Sequence, residues 1–378
     1  MAFLSTKKRK SVCFLADFLI VGGLEKVLCS AIKALSPDYD ITIITINGTV
    51  AKPIITELRD HTSFINVNCT PHGILHYMMI VPILGGLVFN RLIPQKFDYL
   101  VILRPWYMMA SYSRIASKTI FWSHGEKDVI YASKSGLSLK KKLNRIRLQI
   151  GYKHLDSVWV PNIYLKNKLI EAFHLTNVHV LLNNIDCASI TSQSYAPIPD
   201  LFHPNFFHFV SVARLSEEKA HIRMLHAIEK LKDQYPCKLV LVGDGPQRAF
   251  LETYVAEHGL TRHVIFAGNQ PNPYPYIRNA NALVLSSVNE SFGLVLLEAM
   301  ILSVPVISTA TIGGIYLTDH GKLGMLVENS EEGIYYGMRL ALENPSALQA
   351  HTGNAYIWAS SFDISVFNET INNLVAST

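Results

Sequence analysis

Short apolar runs alternate with helical stretches along the whole chain. Ser11-Val12-Cys13-Phe14-Leu15, Ile41-Thr42-Ile43-Ile44, Tyr99-Leu100-Val101-Ile102-Leu103, Thr119-Ile120-Phe121-Trp122 and Ser157-Val158-Trp159-Val160 read as strands, and residues 25–35, 138–151 and 163–172 as helices between some of them. This is the pattern of a parallel sheet with crossover helices. A second series of strands follows at residues 207–212, 238–242, 263–266, 282–286, 305–308 and 325–327. Between the series, residues 189–205 hold Pro197, Pro199 and Pro204 and show no periodicity, which predicts a linker. Residues 356–375 predict one terminal helix with Trp358, Phe362, Phe367, Ile371 and Leu374 at its apolar positions. The expected fold class is therefore α/β, with two doubly wound Rossmann-like domains over residues 1–195 and 196–355, and residues 356–378 crossing back onto the first. Two such domains are expected to face a central cleft at the carboxyl ends of their strands, where sheets of this kind take ligands.

Composition narrows the picture. A chain of 378 residues with 49% hydrophobic and 17% charged content describes a globular protein with large cores. The net charge of +5 is unevenly spread: residues 1–200 carry 23 Lys+Arg against 13 Asp+Glu, and the remainder 11 against 16. A basic N-terminal half suits an anionic membrane surface or a phosphorylated acceptor, and the basic patches that nucleic acid needs are missing. The five cysteines form no C-x-x-C pair, as in a reducing compartment. Lys7-Lys8-Arg9-Lys10 leads into a short strand with no secretory pattern, so a cytoplasmic location is expected. The uncharged residues 73–90 are broken by His76, Pro82 and Gly85-Gly86; they read as a buried or surface helix, or one dipping into a membrane face, in preference to a span.

Chemistry concentrates in the second half. Asn289-Glu290-Ser291-Phe292-Gly293-Leu294-Val295-Leu296-Leu297-Glu298-Ala299-Met300 places two carboxylates with seven residues between them, one before a helix and one inside it. The amides of Phe292, Gly293 and Leu294 at such a helix start lack intrahelical partners and attract phosphate. Arg214 and Lys219, after the first strand of the second series, supply two cations suited to a leaving diphosphate. Gly243-Asp244-Gly245-Pro246 is a sharp strand-to-helix turn, yet it fails as a dinucleotide fingerprint because Arg248 stands where a third glycine would fall. Asp38-Tyr39-Asp40 formally matches a metal-binding D-x-D, but its place in a turn argues against a metal; His72 and His76 lack a carboxylate between them. Lys140-Lys141-Lys142, Arg145 and Arg147, with Leu143, Ile146 and Ile150 beneath, form a basic amphipathic stretch suited to solvent or to an anionic lipid.

The order Arg214, Glu218-Lys219, Gly243-Asp244-Gly245-Pro246, Phe266-Ala267-Gly268, then Glu290 and Glu298 followed by Ala299-Met300, resembles the donor domain of the family 4 glycosyltransferases of GT-B fold. Earlier segments are similar to that family too: Gly22-Gly23-Leu24-Glu25-Lys26 to its first Gly-Gly loop, Trp122-Ser123-His124-Gly125 to its active-site histidine segment, and Asn183-Asn184-Ile185-Asp186 to its Asn-Gly-Ile/Val-Asp turn. The resemblance implies retaining transfer of a hexose or N-acetylhexosamine from a nucleotide-sugar, with uridine the commonest base, to a glycan or glycolipid in cell-surface polysaccharide synthesis. It implies no essential metal or other cofactor. Arg214 and Lys219 would hold the diphosphate, with Gly243 beside them; Ser291, Phe292, Gly293 and Leu294 would hold phosphate and sugar. Glu298 would bind the ribose, Glu290 the sugar hydroxyls, and the backbone near Asn269 and Gln270 the base, with His124 and the Gly22-Gly23 loop closing the site. Peripheral attachment to the inner membrane face is the matching expectation for location. Two departures stand out: Ala220 where glycine often follows the lysine, and Asn184 where glycine is commoner. A sugar-nucleotide epimerase of the same architecture and a decayed, non-catalytic scaffold are the competing readings.

Overall fold

The computed structural model describes residues 9–19, 23–48, 50–69, 78–79, 81, 83–125 and 139–378. It divides into two compact units, residues 1–183 with 365–378, and residues 184–364.

In the first unit β1 (Lys10–Ala16), β2 (Tyr39–Thr45), β3 (Ser63–Asn66), β4 (Phe97–Ile102), β5 (Ala116–Trp122), β6 (Ser157–Val160) and β7 (Val178–Val180) form a parallel sheet in the order β3-β2-β1-β4-β5-β6-β7. The central strands are buried on both faces, which is why they read as unbroken apolar runs: Phe14, Leu15, Leu100, Val101, Phe121 and Trp159 are fully buried. The edge strands β3 and β7 escape the sequence reading because they are short and only partly buried, and so carry no such run. The last helix, Ile364–Ser377, belongs here: Phe367 stacks on Trp122 at 6.4 Å, and Asn372 Nδ2 donates to the Ala34 carbonyl.

In the second unit β8 (Phe207–Val212), β9 (Cys237–Val242), β10 (Val264–Gly268), β11 (Ala282–Leu285), β12 (Val306–Thr309) and β13 (Met325–Val327) form a parallel sheet in the order β10-β9-β8-β11-β12-β13. Helix Ile222–Leu231 buries Met224, Leu225, Ala227, Ile228 and Leu231, a spacing that lays one apolar face on the sheet. In each all-parallel sheet the strand order reverses once, between β1 and β4 and between β8 and β11, and the loops at those carboxyl ends carry most of the predicted chemistry.

Two local expectations change. The predicted linker begins as a helix, Cys187–Gln193, because the Asp186 carboxylate accepts from Ser189 N at 2.8 Å and caps it; the units part at residues 183/184, ahead of the prolines. The terminal segment is two helices, Thr352–Ser360 and Ile364–Ser377. At the break, the Phe362 carbonyl accepts from Ile185 N (3.0 Å) and Ile364 N donates to the Ile185 carbonyl (2.9 Å), so groups a continuous helix would use are spent on residue 185. Helix Leu84–Leu92 covers the end of the uncharged stretch, and no helix among the described residues is long and apolar enough to cross a membrane. His72 and His76 lie outside the described residues.

Candidate functional site

Three loops interlock at the carboxyl ends of β8, β9 and β10. Gly243, with φ +143°, lets β9 turn hard against the β8 loop; a Cβ there would stand 2.0 Å from the Ala213 carbonyl oxygen. Its amide donates to the Gly268 carbonyl (2.7 Å), Leu215 N donates to the Asp244 carbonyl (3.0 Å) and Gln247 N to the Leu215 carbonyl (2.9 Å). This lattice seats Arg214 exposed at the rim. Asn269 and Gln270 follow β10 on the same edge, where Gln270 Nε2 donates to the Ala267 carbonyl at 2.6 Å.

Lys219 ends the short 3-10 turn Glu217–Lys219, and its Nζ meets Glu290 Oε2 at 2.5 Å, with the two side chains only 22% and 16% exposed. The β8 and β11 loops are also tied through backbone: Ser286 Oγ donates to the Lys219 carbonyl (2.8 Å) and Val288 N to the Glu218 carbonyl (2.9 Å). The sequence reading gave these two charges separate tasks, and the structure makes them partners. Ala220 is buried at φ +47°, which accounts for the glycine commoner at this place: the turn needs a left-handed residue, and alanine adopts it under strain. Ala220→Gly is therefore expected to stabilise the second unit by about 0.5–1 kcal/mol, strain relief less glycine's extra chain entropy, raising its Tm by about 1–3 °C by calorimetry. The neighbouring His221 is buried, and burial with the Lys219 charge beside it pushes its pKa down to about 4, leaving it neutral at pH 7.

Glu290 and Glu298 flank the start of helix Leu294–Ile301. Gly293 caps that helix at φ +90° with no side-chain cap, so the first helix amides are not taken up by a capping oxygen. The loop is held from behind: Gly313 N donates to the Glu290 carbonyl (2.8 Å), and the buried Phe292 ring packs on Phe362 (5.9 Å) and Tyr316 (6.1 Å). Ser291 is half-buried in the same turn. Glu298 is buried in the helix, about 6 Å along the axis from Leu294. Gly313 is the residue of this site that sequence reasoning missed; the signal is Thr311-Ile312-Gly313-Gly314 directly after a strand, where Thr311 Oγ1 caps the helix by accepting from Gly314 N at 3.1 Å.

Other predicted residues fall elsewhere. His124 follows β5 in the first unit, its ring 4.7 Å from that of Trp122. Burial, with Arg104 adding to it, pushes its pKa down to about 3, so it is a neutral imidazole at pH 7. Gly23 opens helix Gly23–Leu35, and Gly22 lies outside the described residues. Asn184 is buried and Asp186 serves as a helix cap. Asp40 pairs with Arg9, and among the described residues no group of three His, Cys, Asp or Glu side chains is placed to hold a metal. In helix Leu139–Lys153 two of the three apolar residues expected beneath the basic face are outside: Leu143 and Ile146 are 58% and 53% exposed, while Ile150 is partly buried and Leu148 and Tyr152 are buried. The side chains of Lys140, Lys141 and Lys142 lie outside the description.

Residues 201–358 match the family described as glycosyl transferases group 1. Among curated proteins, the N-acetylgalactosamine-N,N'-diacetylbacillosaminyl-diphospho-undecaprenol 4-alpha-N-acetylgalactosaminyltransferase of Campylobacter jejuni is 24% identical over 90% of this chain and 93% of its own. A lipopolysaccharide core biosynthesis glycosyltransferase of Rhizobium meliloti is 28% identical over 38% of each chain. Among solved structures, Anabaena Alr3699/HepE in complex with UDP superposes with a TM-score of 0.77 at 18% identity, covering 97% of this chain and 100% of that one. The lipopolysaccharide outer core galactosyltransferase WaaB gives 0.73 at 18% identity, over 97% and 99%. These likenesses establish the fold as that of the GT-B glycosyltransferases.

Proposed function

We propose that this chain, whose residues 201–358 match the glycosyl transferases group 1 family, is a glycosyltransferase that moves a hexose or N-acetylhexosamine from a nucleotide-sugar to a glycan or glycolipid acceptor with retention of configuration and without an essential metal. The observation that carries this reading is the convergence at one sheet edge of Lys219, Glu290 and the Gly293 helix start, with Glu298 one turn further in. Departure of a nucleoside diphosphate from the anomeric carbon builds negative charge on the leaving oxygen. Fixed cations and helix amides stabilise that charge without reorganising. Lys219 and Arg214 supply the cations, and the amides of Phe292 to Leu294 supply the dipoles. A diphosphate arriving beside Lys219 competes with Glu290 for the ammonium and frees that carboxylate to accept from sugar hydroxyls. Glu298 then accepts from the ribose, and the backbone at Asn269 and Gln270 meets the base. Gly243 lets the chain approach the phosphates closely.

The UDP named in the Anabaena structure's title supports uridine as the base, and the diphospho-undecaprenol in the Campylobacter relative's name supports a lipid-linked acceptor. The basic N-terminal half and the exposed Leu143 and Ile146 support peripheral contact with the inner face of an anionic membrane.

The test is NMR of the product formed from α-linked UDP-hexoses and UDP-N-acetylhexosamines with a panel of octyl glycosides in EDTA. An α-linked product at an undiminished rate is expected. A β-linked product, or activity abolished by EDTA and restored by manganese, would overturn retention or metal independence; conversion of the donor alone into its epimer would point to the epimerase reading.

A further inference from the structure

From Asn289 to Gly293 the loop after β11 holds one apolar side chain, Phe292, and it is buried. Its ring lies 6.1 Å from that of Tyr316 and 5.9 Å from that of Phe362, which are themselves 6.2 Å apart. Trp358 closes the group, 6.1 Å from Tyr316 and 5.4 Å from Phe362. Most of these pairs meet edge to face, the arrangement in which aromatic quadrupoles attract. Tyr316 sits on helix Ile312–Leu317, one turn beyond Gly313, whose amide holds the Glu290 carbonyl and where a Cβ would stand 2.3 Å from the Phe292 carbonyl oxygen. Trp358 is near the end of helix Thr352–Ser360, and Phe362 lies in the break that follows. There the Phe362 carbonyl accepts from Ile185 N, and Asp363 Oδ2 accepts from Cys187 N at 3.3 Å. The indole Nε1 of Trp358 is buried without a partner among the described residues, so the ring is kept for its shape at the cost of an unpaired donor.

We infer that Tyr316, Trp358 and Phe362 are positioning residues of the phosphate loop. Through the Phe292 ring they fix where the amides of Phe292, Gly293 and Leu294 stand, and the bonds that tie residues 362–364 to Ile185 and Cys187 belong to the same support. Such a role presupposes the donor site proposed above and extends it to residues that act on it only through Phe292. Gly293 makes the need for it plain: at φ +90° and with no side-chain cap, the helix start is not fixed by its own local bonding. A smaller side chain behind Phe292 leaves room for the loop to settle, and a shift of about 1 Å in a group that meets the ligand costs far more than the contact removed. Coupling between two sites is reciprocal, so a nucleoside diphosphate held by the amides must in turn steady the break at residues 361–363.

The experiment measures UDP affinity by calorimetry at a temperature where circular dichroism shows every variant folded, and hydrogen exchange by mass spectrometry with and without UDP. Phe362→Leu removes one partner of Phe292 and is expected to weaken UDP binding roughly tenfold. Trp358→Leu, one ring further away, should weaken it about threefold, and Trp358→Phe, which keeps a ring and removes the unpaired donor, should bind as the wild type does. Leu348→Ala is the control for a general loss of stability: it empties a buried position on helix Pro345–Gln349 of the same unit, outside the ring cluster, and should lower Tm with UDP affinity unchanged. In the wild type, UDP should slow exchange in peptides covering residues 183–187 and 358–364. The inference is overturned if Phe362→Leu and Trp358→Leu bind UDP as tightly as the wild type, if Leu348→Ala weakens binding as much as they do, or if UDP leaves exchange at those peptides unaltered. Absence of UDP binding in the wild type would overturn the donor site together with its support, an outcome distinct from variants that bind as well as their parent.

Discussion

Lys219→Ala is expected to lower kcat by roughly 100- to 1000-fold, the loss seen when one fixed donor to a developing negative charge is removed from a preorganised site. Lys219 is the cation that the fold fixes most firmly, through the Ser286 hydroxyl on its carbonyl and the Glu290 carboxylate on its ammonium. Removing it also leaves the carboxylate of Glu290, itself largely shielded from solvent, without its partner. A lower Tm should accompany the loss of rate, and Lys219→Ala with Glu290→Gln should recover stability but not turnover. That pattern separates the catalytic role from the structural one. A fall in kcat of less than tenfold in the single variant would place the leaving-group charge elsewhere.

The second large effect distinguishes the two carboxylates. Glu298→Ala should weaken UDP binding by roughly 10- to 100-fold, the cost of a hydrogen bond to a charged group, because the ribose is part of free UDP. Glu290→Ala should leave UDP affinity nearly unchanged and lower kcat instead, since the reacting sugar is absent from UDP. Glu298 is buried, so Glu298→Gln, which keeps the volume, guards against reading a packing defect as a binding defect. Calorimetry with UDP and steady-state kinetics on the same variants check both. Equal losses of affinity at the two positions would refute the division of roles.

The strands of both sheets were legible because doubly covered parallel strands have little choice but to be apolar throughout, as in Leu100-Val101-Ile102 and Val240-Leu241-Val242. The half-exposed edge strands Ser63–Asn66 and Val178–Val180 obey no such constraint. The break at residues 361–363 depends on hydrogen bonds to Ile185, far away in sequence, and no local propensity announces it. At the site, the residue types were legible but their pairing was not: Lys219 and Glu290 are 71 residues apart and meet only because β8 and β11 are neighbours.

The central claim is that the carboxyl edge of the second sheet holds a nucleoside diphosphate through Lys219 and the Gly293 helix start, with no metal between them. Calorimetric titration of the full chain with UDP in EDTA tests it most directly. The account predicts saturable binding at one site per chain, weakened by Lys219→Ala and by Glu298→Ala. No binding of UDP, GDP, ADP or dTDP in EDTA, or binding that appears only when manganese is added, would contradict it.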